Sequence, residues 1–318
     1  MDLFRPSLAR SPAGGAPLHL IVTREPIVPL AALFGDCPHW RFEHCFEHLL
    51  EARNAPDILF VPIGGKRVTQ SALGRLYAHF ETLPDLRPLL APPGRPRLWI
   101  SIRTRNRTVQ NQAEFIAALA QALAARLGDC EIVLDGHSLP ADNDGIVALG
   151  DRSNLDIAAA DRAVAQDVLR RVAPSVRRRL RLAVGLQTRE SLALVRGCAF
   201  YVCHHGTVQH KVGWFTAVPG VVHSNEEVLR ANPAQSVAAH VEGGTLPVYL
   251  PPALVTNVAN AAGTAERTAL EAELRHDNYY IDVPSACAFI TDVSAAVCSP
   301  STPRTLLVAL RGWLARWR

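Results

Sequence analysis

No stretch of the chain offers the roughly 18 uninterrupted apolar residues that a membrane-spanning helix requires. The opening MDLFRPSLARSPAGGA has no apolar run of the length a secretory signal needs. The seven cysteines, at positions 37, 45, 130, 198, 203, 287 and 298, include no Cys-x-x-Cys pair and form no even set. A disulfide framework is therefore not expected, and a reducing, cytoplasmic setting is. Charge of one sign is also scarce. A net charge of +4 is too small to argue for nucleic acid. Neither Gly-x-Gly-x-x-Gly nor Gly-x4-Gly-Lys-Ser/Thr occurs, so neither a dinucleotide fingerprint nor a phosphate loop of that type is expected. Methionine appears once against 23 prolines. With abundant Ala and Arg, this bias suggests GC-rich coding, and counts of those two residues carry less weight.

What remains is a composition of 48% hydrophobic and 19% charged residues, that of a folded protein, in 318 residues. That length suits two domains. Leu18–Val22 and Asp57–Pro62 read as short apolar strands, with helical patterns around 41–53 and 69–82. The breaker run Leu90–Ala91–Pro92–Pro93–Gly94–Arg95–Pro96 then reads as a linker. Beyond it, strands at 97–102, 131–135, 181–184, 199–203 and 220–223 alternate with helices at 110–127, 158–172 and 189–195. Sustained alternation of this kind predicts a parallel sheet covered by helices on both faces.

Ligands of such sheets bind beyond the carboxyl ends of the strands, and the polar clusters fall there. Arg103, Arg105 and Arg107 alternate with Thr104, Asn106 and Thr108 after the strand at 97–102. Guanidinium forks suit phosphate, although a solvated loop face has the same composition. His204–His205–Gly206–Thr207 follows the strand at 199–203, with His210 and Lys211 one turn on. Zinc is the competing reading. Adjacent histidines on a strand point to opposite faces, however, and no carboxylate or thiol completes a set, so no metal is expected. Asp135 and His137 end another strand, either as base and ribose ligand or as a turn with a surface imidazole. His223–Ser224–Asn225 reads as a helix N-cap whose amides can also face ligand. In the first unit His44 and His48 would share one helical face, lining the interdomain cleft, holding zinc with Cys37, His39 and Cys45, or serving acceptor contact or catalysis.

The basic loop, the Leu-Asp-Gly at 134–136, Leu186–Gln187–Thr188–Arg189–Glu190–Ser191–Leu192, His-His-Gly-Thr and Pro219–Gly220–Val221–Val222–His223–Ser224–Asn225 together resemble the donor-binding domain of GT-B-fold glycosyltransferases. The likeness is to bacterial enzymes of capsule, lipopolysaccharide or other surface-polysaccharide synthesis, heptosyltransferases among them. It covers roughly residues 97 to 225. The resemblance implies an α/β chain of two Rossmann-like domains in GT-B arrangement. Residues 1–96 would form a small acceptor-side domain, 97–300 the donor domain, and 301–318 a helix returning to the first. It also implies a metal-independent glycosyl transfer, without cofactor, from a nucleotide-sugar donor to a glycan acceptor. Arg103 or Arg105, Gly206 and Thr207 would then face the donor phosphates. The general base would be His44, His48, Asp135 or His137. The terminal helix is basic and aromatic, so peripheral contact with an anionic membrane is its second reading. Two rivals remain: a nucleotide-sugar epimerase or hydrolase, and a non-catalytic nucleotide- or anion-binding protein.

Overall fold

A computed structural model describes residues 18–22, 27–36, 40–44, 68–105, 107–141, 153–231, 241–258 and 277–298. Strand β1 (Leu18–Val22) pairs in parallel with β2 (Trp40–His44). The helix expected over 41–53 is therefore corrected at its start: Trp40, Phe42 and His44 alternate with Arg41 and Glu43, and a period of two belongs to a strand. The remainder of that span, including His48, lies outside the described residues, as do the strand expected at 57–62, Asn106 and the helix expected at 301–318.

After α1 (Leu30–Phe34), helix α2 (Gln70–Thr82) is capped by Thr69, whose hydroxyl accepts from the Ala72 amide. Helix α3 (Arg87–Leu90) ends at the first residue of the breaker run, where the prolines stop it. These helices are not isolated. Leu73, Leu76, Phe80 and Leu86 pack against Leu192 and Ala193, which belong to a helix of the main sheet's cover.

The main sheet contains β3 (Arg97–Ser101), β4 (Glu131–Asp135), β5 (Leu180–Leu182), β6 (Cys198–His204), β7 (Gly220–His223) and β8 (Val248–Tyr249). Its order is β5-β4-β3-β6-β7-β8, with every pairing parallel. The strands form where apolar runs are continuous, as expected of a sheet covered on both faces. One face packs Ile100, Val202 and Val221 against Phe115 and Leu119 of α4 (Gln112–Leu127). The other packs Trp99, Tyr201 and Val222 against Leu194 and Val195 of α7 (Thr188–Val195) and Val212 of α8 (Thr207–Gly213). Burying each such side chain contributes about 1.5–3 kcal/mol.

Between them in sequence lie α5 (Asn154–Arg171) and α6 (Pro174–Arg177). Helix α5 opens on a capping box in which Ser153 and Asp156 bond reciprocally. Helix α9 (Glu226–Arg230) is capped by Asn225, as its sequence predicts. An antiparallel pair, β9 (Val255–Val258) and β10 (Asn278–Ile281), precedes α10 (Val283–Cys298). Strand β10 also bridges Val109, in the segment that follows β3.

The strand order carries one functional consequence. The chain builds outward from β3 through β4 to β5, then returns to place β6 on the opposite side of β3. Connections leaving β3 and β6 therefore diverge and open a crevice at their carboxyl ends, the topological switch point where doubly wound sheets bind ligands.

Candidate functional site at the strand ends

Arg103 stands just beyond β3, and its main chain is held by Gln112, the first residue of α4. The Arg103 amide donates to the Gln112 side-chain oxygen at 2.8 Å, and the Gln112 amide donates to the Arg103 carbonyl at 3.0 Å. Clamped in this way, the guanidinium crosses the switch point and donates to the His205 carbonyl at 3.0 Å. Arg107 comes to the same place by a rarer route, with φ of +57°. Both guanidinium groups lie over Gly206, whose φ is +112°. A Cβ there would sit 3.3 Å from Arg103 Nη1 and 3.3 Å from Arg107 Nη2. Glycine thus serves both the backbone conformation and the close approach of two cations.

Like charges gathered in a partly dry place are costly. Burial, and next the neighbouring charge of Arg107, lower the Arg103 pKa to about 10. Burial lowers that of Arg107 as well. Arg107 makes no ion pair with a carboxylate among the described residues, and its Nε has no hydrogen-bond partner. A pair of guanidinium groups so arranged is suited to an anion.

The two histidines of the sequence motif separate, as alternation requires. His204 is buried, with Nδ1 3.0 Å from the Ser101 hydroxyl and its ring 4.3 Å from that of His223. His205 turns toward the Tyr249 hydroxyl at 2.9 Å. His223 meets the Tyr279 hydroxyl at 2.8 Å. Burial holds all three neutral, His205 with a pKa lowered to about 4, His223 to about 3, and His204 well below the ordinary value.

A second group gathers at the β4 end. Asp135 is fully buried and accepts from Lys211 Nζ at 2.8 and 2.7 Å. The same ammonium reaches the Gly136 carbonyl at 3.0 Å and the Ser138 hydroxyl at 2.8 Å. Lys211 is thus spent on tying α8 to β4, and Asp135 has both oxygens engaged. His137 donates its main-chain N–H to Asp161 at 2.7 Å, and its Nε2 lies 2.8 Å from Asn154 Oδ1. An amide oxygen only accepts, so Nε2 carries the hydrogen and Nδ1 keeps its lone pair. Burial lowers the His137 pKa, and the ring is a neutral base at pH 7.

Asp161 was not legible as a site residue, yet it joins the two groups. It accepts from the Thr104 hydroxyl at 2.5 Å as well as from His137, and burial raises its pKa. Arg105 acts on it electrostatically. The available signal was a polar position on an apolar helical face: Asn154 and Asp161 share the buried stripe of α5 with Ile157, Ala158, Ala165 and Val168. Gly136 is required by the same carboxylate, because a Cβ there would lie 2.7 Å from Asp161 Oδ2. Gly136→Ala is expected to destabilise by about 2 kcal/mol through overpacking, as read from the midpoint of denaturant unfolding.

The other expected residues are scattered. His210 stacks on Trp214, with centroids 4.1 Å apart. Ser224 and Asn225 are buried beyond β7, where Asn225 caps α9. Thr207 opens α8. His44 ends β2, in the separate two-stranded sheet. Among the described residues no group of three or more His, Cys, Asp or Glu is placed to hold a metal, and no helix is long and apolar enough to cross a membrane.

The buried histidines make stability depend on pH. The unfolded chain protonates His204 and His223 as pH falls through 6.5, while the folded chain does not take up the His223 proton until about 3. Their stabilisation is fully present above 6.5 and is lost on acidification. Asp135 runs the other way, because burial raises its folded pKa to about 6 from 3.8, so the folded state takes its proton first. Four imidazoles with lowered pKa (His137, His204, His205 and His223) against two carboxyls with raised pKa (Asp135 and Asp161) leave a net uptake of protons on unfolding between about pH 6 and 4, at about 1.4 kcal/mol per pH unit for each proton. Chemical denaturation from pH 7 to 4.5 should show that slope, and His223→Gln should flatten it. An unchanged slope in the variant contradicts the assignment.

No protein-family model matches the chain, and no curated protein matches it. Among solved structures, one match is the spinosyn forosaminyltransferase SpnP, at 19% identity and a TM-score of 0.25, over 80% of this chain and 49% of that one. The chain thus spans about half the length of that enzyme. So loose a likeness does not bear on the chemistry, which rests on the strand order and on the groups that converge at the switch point.

Proposed function

We propose that the crevice between β3 and β6 binds the phosphates of a nucleotide-activated sugar, and that the protein transfers the sugar to a glycan hydroxyl. The observation that carries this reading is the pair of guanidinium groups, Arg103 and Arg107, over Gly206 at the switch point. In the proposed reaction the acceptor oxygen bonds to the anomeric carbon as the bond from that carbon to the phosphate oxygen breaks. The leaving nucleoside diphosphate takes the electron pair, and the arginines stabilise its developing charge. The hydroxyl proton passes to a base, for which His137 Nδ1 is the best prepared of the sequence candidates. Residues 97–300 would form the donor side of a GT-B arrangement, with residues 1–96 on the acceptor side and surface polysaccharide as the product class.

A second reading is a non-catalytic anion-binding protein. It is favoured by the engagement of Asp135 with Lys211 and by the burial of His204 and His223, which leave few groups to move a proton. A thermal-shift panel of nucleotides and nucleotide sugars, followed by product analysis with and without glycan acceptors, separates the readings. Stabilisation by nucleoside diphosphates together with acceptor-dependent release supports transfer. Release without acceptor indicates hydrolysis, and tight binding without turnover of any donor indicates the binding protein.

A further inference from the structure

Two imidazole nitrogens at the switch point are buried without a hydrogen-bond partner: Nε2 of His204 and Nε2 of His223. Each residue is 1% exposed. A buried polar group left unpaired costs about 1–3 kcal/mol, so what these atoms would bond determines their use.

The Ser101 hydroxyl oxygen accepts the His204 main-chain N–H at 2.9 Å and lies 3.0 Å from His204 Nδ1, to which it can donate its own hydrogen. With Nδ1 as the acceptor, Nε2 carries the hydrogen. The Tyr279 hydroxyl lies 2.8 Å from His223 Nδ1. The phenol can donate its hydrogen to Nδ1, which makes His223 Nε2 an N–H as well. The two rings are in contact, and a third unpaired donor, Arg107 Nε–H, belongs to the guanidinium pair whose charge reaches His204. Three such groups acting as donors suit an oxyanion.

We infer that His204 and His223 form an inner subsite for a phosphoryl group, continuous with Arg103 and Arg107, in which Ser101 and Tyr279 are positioning residues that keep both Nε2 atoms protonated. The subsite rests on the anion-binding reading above. Its donors are neutral, so it stabilises an oxygen anion in a dry place without burying further positive charge.

The test uses the full chain with labelled imidazole and guanidinium nitrogens, observed by NMR, with inorganic pyrophosphate as the probe. Without it, both rings should show the neutral Nε2–H tautomer. On addition, both Nε2–H resonances should move together with Arg107 Nε–H. Ser101→Ala and Tyr279→Phe should each weaken pyrophosphate about tenfold, the loss of roughly one oriented donor. If pyrophosphate moves the arginine resonances and leaves both imidazoles unmoved, the inner subsite is overturned. The rings would then bond internal water, and the outer anion site would stand. If pyrophosphate moves none of them, the anion-binding reading falls too. Should Tyr279→Phe fail to fold, the shifts in the unsubstituted protein decide the question.

Discussion

Replacing Lys211 by methionine is expected to cost about 3–5 kcal/mol of stability at neutral pH. The lysine side chain is 12% exposed and the carboxylate it meets is 0% exposed, so the substitution leaves a buried charge without its counter-ion. Burial already raises the Asp135 pKa to about 6 against the opposing pull of Lys211. Without the lysine that pull is gone and the pKa rises further. Below it the carboxyl is neutral and needs only a hydrogen bond. The penalty should therefore shrink on acidification, and the difference in unfolding free energy between the variant and the parent should be smaller at pH 5 than at pH 7. Lys211→Met combined with Asp135→Leu should recover much of the loss, since removing both partners of a buried pair is often nearly neutral. Equal costs for the single and double variants, measured by denaturant titration, would contradict the account.

Arg107→Ala is expected to act in the opposite sense on stability and strongly on binding. A charge-assisted bond from guanidinium to phosphate contributes about 1.5–3 kcal/mol, so pyrophosphate affinity should fall about 10- to 100-fold. Stability should hold or rise. The substitution removes a buried Nε that bonds nothing and relieves the charge that lowers the neighbouring Arg103 pKa. Calorimetric titration with pyrophosphate, together with a thermal melt of each protein, reads both effects. Unaltered affinity would remove Arg107 from the site. A large fall in melting temperature would make it a structural residue instead.

The main sheet was largely legible in the sequence. Glu131–Asp135 and the strands around 97, 200 and 220 are continuous apolar runs bounded by polar residues, and burial on both faces requires that pattern. Helix α4 was equally plain, because Phe115, Ile116, Leu119 and Leu123 repeat at helical spacing. Trp40–His44 was ambiguous: its alternation has the period of a strand while its polar residues also fit a helical face, and pairing with Leu18–Val22 decides for the strand.

The sequence by itself determined that Arg103, Asp135, His204 and His223 would stand at strand ends, because an apolar run that stops at polar residues marks where a buried strand reaches the surface. Only the tertiary structure decided which of them meet. Strand order placed β6 beside β3, which put Arg103 and Arg107 over Gly206 and left β4 on the other side. Packing then drew Lys211 to Asp135, 76 residues away, so the lysine one turn beyond the His-His-Gly-Thr motif became a buried tie. It also brought Tyr279 to His223 from 56 residues away. Local periodicity reports which face a residue occupies. It carries no record of which distant residue shares that face, because the free energy that selects the pairing comes from long-range burial and from neutralising charge out of water.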